Sequence, residues 1–124
     1  TEMGPLVSAT QFERVTGYLK SGVEEGARAV TGGAGLKSPG YFVRPTVLVD
    51  TNPAMKIVRE EIFGPVLVAM PFKEIDDAMI REANNSLYGL AAGVWTSDMK
   101  KAHQIANRLE SGTVWINCYH VFDA

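Results

Sequence analysis

An α/β fold, with a parallel twisted sheet and helices on both faces, is predicted by three features of this sequence. Apolar residues recur at helical spacing in three separate stretches, short β-prone runs lie between and after them, and one run, Pro65 to Phe72, is nearly all apolar. A run without alternation suits a strand covered on both faces, as in a parallel sheet. The order strand, helix, strand, helix, strand from residue 65 onward implies right-handed crossovers.

From Ser8 the sequence predicts an amphipathic helix. Phe12, Val15, Leu19 and Val23 recur at three- and four-residue spacing while Glu13, Lys20 and Glu24 fall elsewhere, and Ser8 with Gln11 forms a capping-box pattern. Ala27 to Thr31 is a short β-prone run closed by Gly32, Gly33 and Gly35. Tyr41 to Val49 is rich in aromatic and β-branched residues, but Pro45 cannot donate to a ladder and favours an edge or irregular strand. Asn52-Pro53 starts a turn, with one helical turn expected within Ala54 to Glu60.

After the apolar run, Ile75, Ala78, Met79 and Ala83 mark the buried stripe of a second helix, which Asn84-Asn85 and Gly89 end before a strand from Leu90 to Thr96. Ser97 is the expected cap of a third helix with Met99, Ala102, Ala106 and Leu109 inward. Gly112 stops it, and Thr113 to Asn117 forms the last strand. No linker or repeat interrupts this order, so residues 1–124 read as one domain. An end at Val121-Phe-Asp-Ala124, just after a strand, reads as truncation.

With 12 Lys and Arg against 14 Asp and Glu, the net charge of −2 supplies no positive field for nucleic acid or an anionic membrane. Cys118 is alone, so no intramolecular disulfide forms, and with only His103 and His120 beside it there is no structural zinc set. A reducing, cytoplasmic compartment fits. No apolar run approaches the roughly 20 residues of a membrane span, and the opening residues lack signal-peptide character.

Glu60-Glu61-Ile62-Phe63-Gly64-Pro65-Val66 puts a carboxylate pair and an aromatic just ahead of the buried strand. An ionised carboxylate accepts hydrogen bonds from both hydroxyls of a ribose, and a ring two residues on, pointing the same way in extended chain, packs on a nicotinamide. The residues alone leave the opposite reading open, since adjacent glutamates are usually solvated and phenylalanine is usually core. Gly32-Gly-Ala-Gly35 has neither a G-x-G-x-x-G nor a Walker pattern and reads as a turn before Pro39. Asp76-Asp77 and Glu24-Glu25 read as solvated helix charge.

The segment Glu60 to Val66 resembles the ribose- and nicotinamide-side motif of the aldehyde dehydrogenase superfamily. Met3-Gly-Pro-Leu6, Gly40-Tyr-Phe-Val, Pro45-Thr46, Ala83-Asn84, Tyr88-Gly-Leu-Ala-Ala92 and Gly112-Thr-Val-Trp-Ile-Asn117 are similar to family motifs in the same order. The resemblance covers this whole chain but a minor part of a full-length member, and implies an incomplete catalytic-domain fold. It also implies an NAD- or NADP-dependent parent that oxidises a small-molecule substrate, an aldehyde, to a carboxylic acid and assembles as a homo-oligomer. Glu61 matches the family's ribose-binding glutamate and Phe63 its phenylalanine near the nicotinamide.

His120 and Phe122 fall where family members line the substrate tunnel, although both also read as plain loop side chains. Asn117 is expected to order backbone near the site. Cys118 follows the late strand, whereas the family's cysteine nucleophile and glutamate base lie in upstream motifs that this sequence lacks, as it lacks the cofactor domain. No catalytic residue is therefore assigned here, and Cys118 reads as a small apolar filler. Two other readings stay open: a non-catalytic α/β binding or interaction module from the same family, and an unrelated doubly wound nucleotide-binding domain.

Overall fold

A computed structural model describes residues 3–121. The chain divides into two compact units, Thr1–Pro71 and Phe72–Ala124.

The first unit begins with α1 (Ala9–Glu24), whose start follows from local chemistry: Ser8 is in extended conformation and its side chain accepts from the backbone N–H of Gln11. The Gln11 side chain reaches away from Ser8, its Nε2 donating to the Phe63 carbonyl. Strands β1 (Arg28–Thr31), β2 (Thr46–Val49) and β3 (Val66–Val68) form a sheet in the order β1-β2-β3, with α2 (Lys56–Arg59) between β2 and β3. β2 and β3 are parallel, with Thr46 opposite Val66 and Leu48 opposite Val68, whereas β1 is antiparallel to β2 with an irregularity between Ala29 and Thr31.

β2 is thus a central strand and not an edge one, while the irregular alternative that Pro45 also favoured holds ahead of it, where Val43 makes only an isolated bridge with Gly35. The ladder starts at Thr46, one residue past the proline, so the missing N–H costs it nothing. Gly32, at φ +70°, turns the chain out of β1, and a Cβ there would strike the Pro45 carbonyl oxygen and the Thr46 hydroxyl. Thr46 is buried and ties this corner together, accepting from Gly33 N–H at 2.8 Å and donating to the Arg44 carbonyl at 2.8 Å.

The core of this unit joins Val15, Tyr18 and Leu19 of α1 to Leu48, Met55, Ile57 and Ile62. Val15 and Leu48 are fully buried, each worth about 1.5–3 kcal/mol of transfer free energy. Val23, expected on the buried stripe, is 54% exposed, and Leu67 in β3 is 60% exposed, so that strand is not covered on both faces.

The second unit holds α3 (Asp77–Asn84), β4 (Ala91–Val94), α4 (Met99–Ala106) and β5 (Thr113–Ile116). β4 and β5 pair in parallel from Ala91 opposite Thr113 to Val94 opposite Ile116, with α4 as their crossover. Asp98, not Ser97, caps α4 by accepting from Lys101 N–H at 3.0 Å. Asp76 caps α3 in the same way through Met79 N–H, so one of the acidic pair expected to be plain solvated charge has a structural task. The other, Asp77, pairs with Arg108 at 2.6 Å.

The stripe expected on α3 is displaced. Ile80 is its buried residue while Ile75, which precedes the cap, and Ala83 are exposed. Ala102 carries the buried face of α4, and Met99 is exposed. No helix among the described residues is long and apolar enough to cross a membrane.

Candidate functional site

The loop from Glu60 to Pro65 joins α2 to β3 and carries the acidic and aromatic residues singled out in the sequence. Ile62 is buried in the core, so its two neighbours, Glu61 and Phe63, are left on the outer side of the loop; both are exposed, Phe63 to 71%. The loop is not simply extended, as the spacing argument supposed. Phe63 sits at φ +58°, in the left-handed region that a residue with a Cβ avoids. Such a conformation costs about 1–3 kcal/mol and needs outside support.

That support comes from one face of α1. Gln11 Nε2 donates to the Phe63 carbonyl at 2.8 Å, Arg14 Nη2 donates to the Glu61 carbonyl at 3.1 Å, and the Tyr18 hydroxyl donates to Glu60 Oε2 at 2.6 Å. The three donors stand at i, i+3 and i+7, the repeat that puts side chains on one helical stripe. They meet the loop in reverse order, the first donor holding its far residue and the last its near one. The carboxylate of Glu60 therefore accepts from Tyr18, while Glu61 is an exposed residue on a loop whose backbone is held.

The second cluster follows β5. Asn117, at φ +55°, uses both ends of its amide on Thr96: Oδ1 accepts from Thr96 N–H and Nδ2 donates to the Thr96 carbonyl, each at 2.9 Å. It orders backbone, locking the exits of β4 and β5 together. Beyond it Tyr119 packs edge-on against Trp115 at 4.7 Å and against His120 at 4.6 Å, and His120 stacks over Trp115 at 5.8 Å. The Trp115 indole N–H donates to the Val121 carbonyl at 2.9 Å. His120 itself is exposed and also at positive φ. Phe122 lies outside the described residues. Cys118 is a free, half-buried thiol, and no group of three metal-ligating side chains occurs among the described residues.

Thus Glu61 and Phe63 share one loop of the first unit, and His120 belongs to an aromatic cluster of the second. The sequence profile of the aldehyde dehydrogenase family matches residues 1–124. The chain belongs to the aldehyde dehydrogenase family. It is 53% identical over its whole length to the mitochondrial aldehyde dehydrogenase of Equus caballus, of which it covers 25%. An NAD+ complex of an aldehyde dehydrogenase from Bacillus cereus is 55% identical and superposes with a TM-score of 0.94, over 100% of this chain and 25% of that one. The aldehyde dehydrogenase of Mycobacterium tuberculosis, also complexed with NAD+, is 47% identical with a TM-score of 0.90, over 98% of this chain and 25% of that one. The chain therefore spans about a quarter of the length of these relatives, and an unrelated nucleotide-binding fold is excluded.

Within this aldehyde dehydrogenase segment, the sequence reading missed the supporting role of α1. Gln11, Arg14 and Tyr18 carried a signal, in that all three are polar or amphipathic residues at stripe spacing beside the buried Val15 and Leu19. Their partners, 42 to 52 residues away in the chain, carried none.

Proposed function

We propose that the full-length protein is an NAD(P)-dependent aldehyde dehydrogenase that oxidises an aldehyde to a carboxylic acid, and that this segment supplies its nicotinamide-ribose anchor, Glu61. The observation that carries this reading is the loop itself: an exposed carboxylate and an exposed ring flank one buried residue on a backbone fixed by α1. A carboxylate held there accepts from both hydroxyls of a ribose, and the Phe63 ring offers a flat apolar face of the size of a nicotinamide. The residues present thus fit the group.

When bound, the dinucleotide supplies the hydride acceptor. This chain supplies geometry: Glu61 fixes the sugar, Phe63 limits the ring's travel, and their rigid backing keeps both in place. His120 and Phe122 contribute to the wall of the aldehyde tunnel, with the packing of His120 on Trp115 and Tyr119 supporting a fixed position for it. Nucleophile and base lie outside these residues, so the isolated chain is inactive. We take the parent to be one homo-oligomeric enzyme of the cytoplasm, with residues 1–124 forming part of its catalytic domain.

Hydride transfer depends steeply on distance and orientation. Glu61→Gln in the full-length parent is therefore expected to lower turnover on the order of tenfold, about 1.4 kcal/mol of barrier, while dinucleotide affinity changes less. Steady-state kinetics beside a binding titration measure both, and unchanged turnover would count against the anchor.

A further inference from the structure

We infer that Tyr18 and Glu60 are positioning residues for the Glu61 side chain, forming a brace, anchored in the core at its Tyr18 end, that fixes the residue just before the anchor. The inference rests on the reading of Glu61 as the ribose anchor and goes beyond it, because neither Tyr18 nor Glu60 is assigned contact with cofactor or substrate.

Four observations meet here. The Tyr18 residue is buried, 5% exposed, in the core of the first unit, so the position of its ring is set by packing. Its hydroxyl accepts from Arg14 Nη2 at 3.1 Å and donates to Glu60 Oε2 at 2.6 Å, a chain with charge at both ends. The same Arg14 Nη2 holds the Glu61 carbonyl at 3.1 Å. Arg14 and Lys56 both lie over the Tyr18 ring, at 5.1 Å and 5.0 Å from its centroid.

The consequence is local and mechanical. Glu60 is fixed at its backbone, where its N–H donates to the Lys56 carbonyl at 3.0 Å, and at its carboxylate by Tyr18. Ile62 is fixed by burial. Glu61 therefore stands between two immobilised residues with its own carbonyl tied down, and its side chain starts from a defined point. Without the Tyr18 hydroxyl, Glu60 loses its buried partner and Arg14 loses one acceptor beside the anchor. The loop then samples neighbouring conformations, and the ribose anchor spends less time where hydride transfer needs it.

Glu60 has an obvious alternative role as a solvated surface acid. The 2.6 Å bond from the Tyr18 hydroxyl argues against that, since the ring that carries this hydroxyl is itself packed in the core. Glu60→Gln keeps an oxygen that accepts from Tyr18, whereas Glu60→Ala does not. The pair separates the hydrogen bond from the charge.

The test uses the full-length enzyme and four variants: Tyr18→Phe, Glu60→Ala, Glu60→Gln and Glu61→Gln, with Tyr18→Phe also combined with Glu61→Gln. Turnover with protiated and deuterated aldehyde, KM for aldehyde, dinucleotide affinity and Tm are read for each. We expect Tyr18→Phe and Glu60→Ala to lower the hydride-transfer rate about three- to tenfold, with a larger isotope effect and an unchanged KM for aldehyde. Glu60→Gln restores most of the rate. In the Glu61→Gln background Tyr18→Phe adds little, because the group it positions is already lost.

The brace is overturned if Tyr18→Phe and Glu60→Ala turn over like the parent while Glu61→Gln does not, an outcome that leaves the anchor standing. It is equally overturned if Tyr18→Phe costs the same factor with and without Glu61, or lowers Tm with no change in the isotope effect. Normal turnover in Glu61→Gln removes the anchor itself, and the brace with it.

Discussion

Gly64 lies so close against α1 that a Cβ built on it would stand 2.7 Å from Cγ2 of Val15, a residue with no exposed surface. The loop that carries Glu61 and Phe63 is thus seated directly on the helix that supplies its hydrogen-bond donors. The contact explains why a glycine follows Phe63: no other residue lets the chain approach this closely before it enters β3.

Gly64→Ala is therefore expected to push the loop off α1. Val15 is packed on all sides and cannot give way cheaply, so the change costs about 1–3 kcal/mol, as overpacking a core does. The loop's bonds from Gln11 and Arg14 lengthen with it. Thermal unfolding of the full-length parent should show the loss, and turnover should fall further than stability alone accounts for. A variant with the parent's Tm and turnover contradicts the close seating.

Glu25 gives a pH-dependent prediction. The Ser21 hydroxyl donates to Glu25 Oε1 at 2.6 Å and the Lys56 backbone N–H donates to Oε2 at 3.0 Å, and these bonds, in that order, hold its carboxyl below the usual glutamate value. A group whose folded pKa is lowered adds stability above its unfolded pKa, and that stability is lost as pH falls through the folded value. The contribution is small, because the carboxylate is exposed. Denaturant midpoints followed from neutral pH down through the carboxylate range should show a shallower acid decline in Glu25→Gln than in the parent. Parallel curves would mean the two bonds do not hold in solution.

Asn117→Asp tests the clamp between β4 and β5. A carboxylate accepts from the Thr96 N–H but cannot donate to the Thr96 carbonyl, so one of the two 2.9 Å bonds is replaced by repulsion between oxygens. A loss of about 1–2 kcal/mol is expected, read as a lower Tm together with faster amide exchange at Thr96. Unchanged exchange there would contradict the clamp.

Much of this was legible in the sequence where the physics is local. Ser8 capping α1, the turn at Gly32-Gly33 and the strand starting at Thr113 need only neighbouring residues. The family was legible for a related reason, since its motifs are short and lie in a fixed order.

What depends on distant partners was not legible. Pro45 points to an edge strand only if the strand includes it, and pairing of β2 on both sides begins one residue later. The α3 stripe was displaced because Asp76 rather than an earlier residue starts the helix, which leaves Ile75 outside it and turns Ile80 inward. The left-handed backbone of Phe63 depends on an amide 52 residues away, which no pattern within the loop reveals.

The central claim is that Glu61 meets the nicotinamide ribose. A crystal structure of the full-length parent with bound NAD+ measures this directly. The account predicts the Glu61 carboxylate oxygens at hydrogen-bond distance, about 2.6–3.2 Å, from the ribose hydroxyls, with Phe63 beside the nicotinamide. A carboxylate turned to bulk solvent, well away from the sugar, would contradict it.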